Sequence, residues 1–175
     1  MPRHHAVQAQ PWDILFLLSE VTSGVAQGHF SVEGCSTRQA QNALALRCAK
    51  AILSRQWVLR RFFESSQFVV VRSNTGTMGA ALASYARNED GQQVVTIEYV
   101  VVDQKFRRHG VGETLVQHFL AEASAGTIVE CFCMAHSQSM QKLLRHVGFV
   151  RKSKVVAVTI DDATMLIPSH WVWCA

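Results

Sequence analysis

Residues 107–112, Arg-Arg-His-Gly-Val-Gly, have the types and the spacing needed to bind a phosphate group. They follow an apolar run at 94–102 and precede apolar residues spaced four apart, from Val111 to Ala123. This pattern predicts a strand, a glycine-containing turn and a helix. Such a turn directs unpaired backbone N–H groups and the positive end of a helix dipole at one point. A phosphate binds there without any particular side chain, and Lys105 adds positive charge nearby.

Two better-known phosphate motifs do not fit this stretch. No Gly-Lys-Ser/Thr follows, which excludes the Walker pattern, and the dinucleotide pattern Gly-x-Gly-x-x-Gly is missing. The spacing alone is also compatible with an ordinary glycine-containing turn before an amphipathic helix. The flanking sequence is needed to separate these two interpretations.

The flanks resemble a known family. Residues 100–112 and the helix after them resemble the acetyl-CoA-binding core of the GCN5-related N-acetyltransferase (GNAT) superfamily, where Gln/Arg-x-x-Gly-x-Gly/Ala follows an apolar strand. Residues 143–149, Leu-Leu-Arg-His-Val-Gly-Phe, are similar to the helix of that family that ends in Gly-Phe. The resemblance implies an acyltransferase that moves an acetyl group from its cosubstrate, acetyl-CoA, to a primary amine of a small molecule or a protein.

The resemblance also assigns residues to the cofactor. The backbone of Val100 and Val102 would bond the pantetheine arm, and the N–H groups of residues 108–113 would cradle the pyrophosphate. Carried over position by position, the cofactor-binding residues are Val100, Val101, Val102, Arg107, Arg108, His109, Gly110, Val111, Gly112, Glu113, Thr114, Ser137, Met140 and Leu144. The alternative for Val100 and Val102 is plain sheet core.

Glu98 is the candidate catalytic residue. An amine must lose a proton before it attacks a thioester, so a base near the acyl carbon is useful. Simple alternation places Glu98 on the same strand face as Val100 and Val102, before any bulge is allowed for. It would act directly or through a water molecule. The alternative is that Glu98 is a structural ion-pair partner or faces solvent.

One position departs from the family pattern. Many members place a tyrosine four residues ahead of the glycine of Gly-Phe, where it protonates the leaving thiolate; here that residue is Leu144. Leucine has no proton to give. Either the thiolate leaves without a side-chain acid, or another group serves. A third interpretation is a weak or inactive CoA-binding module of the same fold that acts as a sensor or interaction protein.

Composition limits the partners. The net charge is +4 and the pI is about 9.0, and the tightest basic group surrounds the glycine turn. We assign this charge to a phosphorylated small molecule rather than to nucleic acid. A basic-aromatic cluster at 57–63 keeps nucleic-acid binding as a minor alternative. No signal-peptide pattern or membrane-length apolar segment is present, so we expect a cytoplasmic protein without a membrane partner.

Five cysteines, an odd number without a scaffold spacing, argue against a disulfide framework. Cys131-x-Cys133-x-x-His136 invites a metal interpretation, but a fourth ligand is not evident, and buried structural cysteines fit better. We therefore expect no metal site.

The order of elements predicts an α/β fold, with a mixed, mostly antiparallel sheet of about six to seven strands, one splayed parallel pair and about four helices. We expect one domain over 1–175, with residues 1–10 disordered. Helices are predicted at 11–21, 37–64, 112–124 and 136–147, and strands at 67–73, 78–86, 94–102, 127–134, 149–159 and 164–174. By resemblance, an acceptor pocket would draw on His29, Phe30, Trp57, Trp171 and Trp173, and the chain would form a homodimer.

Overall fold

The computed structural model describes residues 4–30, 37–54, 66–160 and 163–175. Its helices are α1 (Asp13–Ala26), α2 (Arg38–Leu53), α3 (Val111–Glu122) and α4 (Gln138–His146). Its strands are β1 (Ala6–Gln8), β2 (Ser66–Ser73), β3 (Gly76–Arg87), β4 (Gln93–Val102), β5 (Ile128–Cys133), β6 (Val150–Arg151), β7 (Val156–Ile160), β8 (Ala163–Ile167) and β9 (Ser169–Cys174). A 3₁₀ turn, Gln104–Phe106, links β4 to the loop before α3.

Within the described residues, seven strands form one sheet in the order β1-β2-β3-β4-β5-β9-β6, and β7 and β8 form a separate hairpin. All neighbours are antiparallel except β4 and β5, which run parallel because α3 crosses between them. The predicted mixed α/β fold with one parallel pair is confirmed. The hairpin between β3 and β4 turns at Gly91, whose φ of +78° suits glycine.

Helices cover both faces of this sheet. Leu17, Val21, Leu44 and Cys48 of α1 and α2 pack with Phe68 and other residues on one face. The opposite face packs against α3, through a stripe of Val111, Leu115 and Phe119 at helical spacing, and against α4 through Leu144. In the described part of the chain, no helix is both long and apolar enough to cross a bilayer.

Local signals set several helix ends. Thr37 caps α2 as predicted, since its hydroxyl accepts the Ala40 N–H at 3.1 Å. Gly148 follows α4 with a φ of +95°, the predicted left-handed termination. Asp13, in the first turn of α1, was not anticipated as a structural residue. It is 1% exposed, and its carboxylate accepts hydrogen bonds from the Gln10 N–H, the Thr77 hydroxyl and the Arg72 guanidinium.

Four boundary predictions differ from the structure. Helix α1 continues past Val21 to Ala26 and includes Gly24, which is buried where the Phe30 ring leaves no room for a Cβ. Pro168 separates β8 from β9, since proline cannot donate to a strand ladder. The disorder expected for residues 1–10 does not extend to Ala6–Gln8, which pair with β2. The predicted 149–159 strand is two strands, β6 and β7.

The predicted helix at 37–64 is present up to Leu53. Its continuation, the basic-aromatic cluster at 57–63 and the expected acceptor-pocket residue Trp57 lie outside the described residues.

The partner register of β4 changes at Glu98. Leu82 of β3 pairs with Tyr99 and Ala83 pairs with Ile97, so Glu98 is an extra residue in a β-bulge. Ile97 faces the α3 side, whereas Glu98 is directed to α2 on the opposite face. Val100 and Val102 again face the α3 side. The expectation that Glu98 shares a face with Val100 and Val102 is therefore wrong, because the bulge reverses the alternation.

Candidate functional site

A gap opens between the two parallel strands. Their pairing runs from Val94 and Ile128 to Ile97 and Cys131 and then stops, although β4 continues to Val102. The β4 backbone from Val100 to Val102 therefore faces the gap without a β5 partner. A cavity of about 630 Å³ fills this space and extends to the start of α3. Its volume lies within the range of ligand pockets, about 300–1,000 Å³.

The loop at 107–110 shapes the end of this cavity next to α3. Arg108 has a φ of +66° and Gly110 a φ of +79°, so the chain turns sharply before Val111. The Arg107 Nε donates to the Val102 carbonyl at 3.3 Å, and the His109 Nδ1 donates to the Arg107 carbonyl at 2.9 Å. These contacts hold the loop against the end of β4.

Helix α3 brings unpaired donors to the cavity. The Thr114 N–H donates to the Gly110 carbonyl at 2.9 Å, so the three N–H groups before it belong to the first turn and have no intrahelical acceptor. The helix starts close to the sheet because β3 has glycine at 79, where a Cβ would lie 2.7 Å from Val111 Cγ1. Backbone donors arranged in this way can bind an anion.

Unlike the glycine at 79, the glycine at 112 is not required by close packing within the protein. A Cβ there would meet Leu143 and Val102 only at ordinary distances, 3.5 and 3.7 Å. The protein itself therefore has room for a side chain at 112, and the space that glycine leaves belongs to the cavity. A backbone cradle that a larger side chain would fill fits the pyrophosphate of CoA.

Most residues predicted for the cofactor meet at this cavity. It is lined by Val100, Val101, Val102, Arg107, Arg108, Gly110, Val111, Gly112, Glu113, Ser137 and Met140, together with Glu98. His109 and Thr114 belong to the loop and helix but do not line it. Leu144 is fully buried in the core beside α3 and does not reach the cavity. Trp171 is also buried in that core, and Trp173 packs against it.

Glu98 lies where the cavity meets a second one of about 310 Å³. Its carboxylate accepts a hydrogen bond from the Arg47 guanidinium of α2, so the ion-pair interpretation of Glu98 describes this structure. The Glu98 side chain is 17% exposed and that of Arg47 is 45% exposed. His29, Phe30 and Phe132 border both cavities. The expectation that His29 and Phe30 lie near an acceptor pocket rested on resemblance, and both border this second cavity.

The loop after α1 bridges the gap between the strands. The Ser137 hydroxyl donates to the His29 carbonyl at 2.9 Å, and a Cβ on Gly28 would lie 3.0 Å from the His136 ring. The Nδ1 atom of His29 is buried without a hydrogen-bond partner in the described structure. A ring nitrogen of this kind at the border of two cavities is a polar group that a ligand can satisfy.

Cys131 and Cys133 line the larger cavity as thiols. A hydrogen bond with Cys133, together with burial, holds the pKa of Cys131 well above its usual range. A neutral thiol is neither a metal ligand nor a strong nucleophile. No group of three or more metal-ligating side chains occurs in the described parts of the chain.

Sequence reasoning missed Glu20, which also lines the larger cavity. The sequence pattern indicates this position only weakly, since an acidic residue beside an apolar helix stripe normally faces solvent. Burial and the negative charge of Asp103 raise the pKa of Glu20 above the ordinary 4.5, and Arg107 opposes them. Ionised Glu20 would repel a bound phosphorylated ligand.

We expect Glu20→Gln to strengthen acetyl-CoA binding about threefold at neutral pH, through loss of that repulsion. The gain should vanish at acidic pH, where wild-type Glu20 is protonated. At neutral pH, the effect of Glu20→Gln on stability has the same direction as its effect on binding. Because the folded-state pKa is raised, the contribution of the neutral acid is complete below 4.5 and is lost as pH rises through the folded value. Glu20→Gln should therefore stabilise the fold by less than about 1 kcal/mol at neutral pH.

Calorimetric titration with acetyl-CoA at two pH values, alongside thermal unfolding, measures both effects. A Glu89→Gln variant removes an exposed acid far along the chain and serves as the control. Equal affinity of wild type and Glu20→Gln at every pH would show that Glu20 does not sense the ligand.

The sequence model of the acetyltransferase (GNAT) family matches residues 39–149. No curated protein matches the sequence significantly.

Many solved structures share the fold. A GNAT superfamily phosphinothricin acetyltransferase from Sinorhizobium meliloti, in complex with AcCoA, aligns with a TM-score of 0.72 and 16% identity over 98% of this chain and 88% of the other. The protein smu.2055 from Streptococcus mutans UA159 aligns with a TM-score of 0.68 and 17% identity over 97% and 98%. Arabidopsis thaliana NAA60, in complex with a bisubstrate analogue, aligns with a TM-score of 0.64 and 12% identity over 98% of each chain. At these identities the likeness concerns the fold.

Proposed function

Because the chain belongs to the acetyltransferase (GNAT) family, we propose that it transfers an acetyl group from acetyl-CoA to a primary amine. The observation that carries this proposal is the cavity at the gap between β4 and β5, which joins the backbone anion site at α3 to the Glu98 carboxylate. One end matches the pyrophosphate of CoA, and the other matches a reacting thioester beside a base.

The chain contributes binding, orientation and proton transfer. First-turn N–H groups of α3 and the loop before it hold the pyrophosphate, and the free β4 edge at Val100 and Val102 holds the pantetheine arm. Acetyl-CoA supplies the activated thioester. Glu98 borders both cavities, so it is the group that takes the proton from the amine, directly or through water.

Leu144 occupies the position from which a tyrosine would protonate the leaving sulfur, and it is fully buried. A CoA thiolate is a weak base, so it leaves without a strong acid. Ser137 and Ser139 line the cavity and have hydroxyl groups. The absence of the tyrosine is also the specific observation that favours the second candidate function, a CoA-binding module of the same fold without turnover.

Calorimetry with acetyl-CoA, followed by thiol release in the presence of a panel of primary amines, tests both functions. We expect micromolar binding and amine-dependent thiol release. Glu98→Gln should keep the binding and lower kcat about 100-fold. Binding without thiol release for any amine would support the CoA-binding module. Failure of the folded protein to bind acetyl-CoA would overturn both.

A further inference from the structure

The second cavity is small and mostly apolar, with one ion pair at its wall. Among described residues it is bordered by Phe30, Tyr99, Phe132 and Met134, and by Arg47 and Glu98. The rings of Phe30 and Tyr99 pack with centroids 5.6 Å apart. At about 310 Å³ it is at the small end of ligand pockets, so it suits a small acceptor with an apolar body.

The ion pair has an unusual position. Arg47 binds Glu98, the one carboxylate among the described residues that borders both cavities, and the Arg47 side chain is 45% exposed, so it is accessible to a ligand. While the guanidinium holds Glu98, it competes with any incoming ammonium group for the same oxygen. An acceptor must therefore displace Arg47 before Glu98 can take a proton from it.

An α-amino acid can make that exchange without leaving a charge unpaired. Its ammonium and carboxylate groups flank a single carbon, so together they fit a guanidinium and a carboxylate that already touch. The acceptor carboxylate would bind Arg47, for which a guanidinium has the matching two-pronged geometry. The ammonium would bind the released Glu98. A simple amine has no carboxylate to bind Arg47, so the guanidinium still competes for Glu98. Breaking this ion pair without giving Arg47 a new partner costs free energy.

We propose that the acceptor is a free α-amino acid with an apolar side chain, and that its carboxylate draws Arg47 away from Glu98 and so frees the base. This inference rests on the proposed acetyl transfer and names its acceptor class. One ammonium proton passes to Glu98 and then to solvent. The nitrogen bonds to the acetyl carbon, the carbon–sulfur bond breaks, and the second amine proton ends on the sulfur. The products are an N-acetyl amino acid, CoA thiol and one proton.

The test compares three amino acids, L-phenylalanine, L-methionine and L-leucine, with the amines that lack only the carboxylate. Wild type should bind and acetylate at least one amino acid about 30-fold better than its amine or its C-terminal amide. Arg47→Met should remove this preference in binding and raise KM for the amino acid. The same variant should raise kcat for the simple amines about 10-fold, because Glu98 is no longer held.

Lys50→Met is the matched control, since Lys50 lies on the same helix but borders neither cavity. It should leave both binding and turnover unchanged. Calorimetry of each acceptor with the CoA-loaded protein gives a readout separate from activity. The acceptor assignment would be overturned if amines or peptides bind as well as the amino acids. It would also be overturned if Arg47→Met weakens the binding of both acceptor types equally. Absence of amino-acid binding would overturn it too, while acetyl-CoA binding with turnover of another amine would leave the proposed function intact.

Discussion

Gly112→Val is expected to weaken acetyl-CoA binding about 1,000-fold, roughly 4 kcal/mol, while the protein stays folded. A Cβ at 112 fits the protein, since the nearest side-chain atoms are 3.5 and 3.7 Å away. The two further methyl groups of valine have to occupy the cavity where the pyrophosphate would approach the backbone. Several hydrogen bonds to a charged group, each contributing about 1.5–3 kcal/mol, would be lost together.

Gly112→Ala is the matched control for this variant. It adds only the Cβ, and the family pattern itself allows alanine at this position, so we expect no more than about a tenfold loss. Calorimetry gives both affinities, and circular dichroism with thermal unfolding verifies the fold. If Gly112→Val binds acetyl-CoA like the wild type, then the first turn of α3 is not the phosphate site.

Asp13→Ala should lower the free energy of unfolding by about 3–5 kcal/mol, the usual cost of removing one partner of a buried ion pair. The carboxylate binds the Gln10 N–H at 2.7 Å, the Thr77 hydroxyl at 2.7 Å and Arg72 at 2.5 Å. It therefore joins the start of α1 to β2 and β3. Because domains are stable by only about 5–15 kcal/mol, this loss is a large fraction of the total.

Urea denaturation followed by far-ultraviolet circular dichroism measures this change. Glu89→Ala, at an exposed turn acid, should alter stability by less than about 0.5 kcal/mol. In Asp13→Ala/Arg72→Met, part of the loss should be recovered, since the unpaired guanidinium is removed as well. A cost for Asp13→Ala no larger than that for Glu89→Ala would contradict the anchoring role.

The sequence predicts well the features that depend on neighbouring residues. The strand, turn and helix around Gly110 follow from local periodicity and glycine placement, and the Thr37 cap and the Gly148 termination follow from a single residue each. These signals located the larger cavity along the chain. They sufficed because the backbone itself forms that site.

Features that depend on distant partners were not predictable in this way. The bulge at Glu98 is defined by its pairing with β3, so alternation within β4 gave the wrong face. Two of the hydrogen-bond partners of Asp13, Arg72 and Thr77, lie 59 and 64 positions away along the chain, whereas the Gln10 N–H is near it in sequence. The pairing of Arg47 with Glu98 spans 51 positions. A helix residue such as Arg47 gives no local sign of the cavity it faces.

The bulge at Glu98 also bears on how such a protein can change over evolution. If residue 98 were deleted, Ile97 would precede Tyr99, and strict alternation would return with Val100 and Val102 still facing α3. Deletion of Val100 or Val101 would instead turn Val102 to the other face. One inserted codon is thus enough to place a carboxylate toward α2 while the edge of β4 that we propose for the cofactor keeps its orientation. Acceptor chemistry and cofactor binding can therefore diverge separately within a single strand.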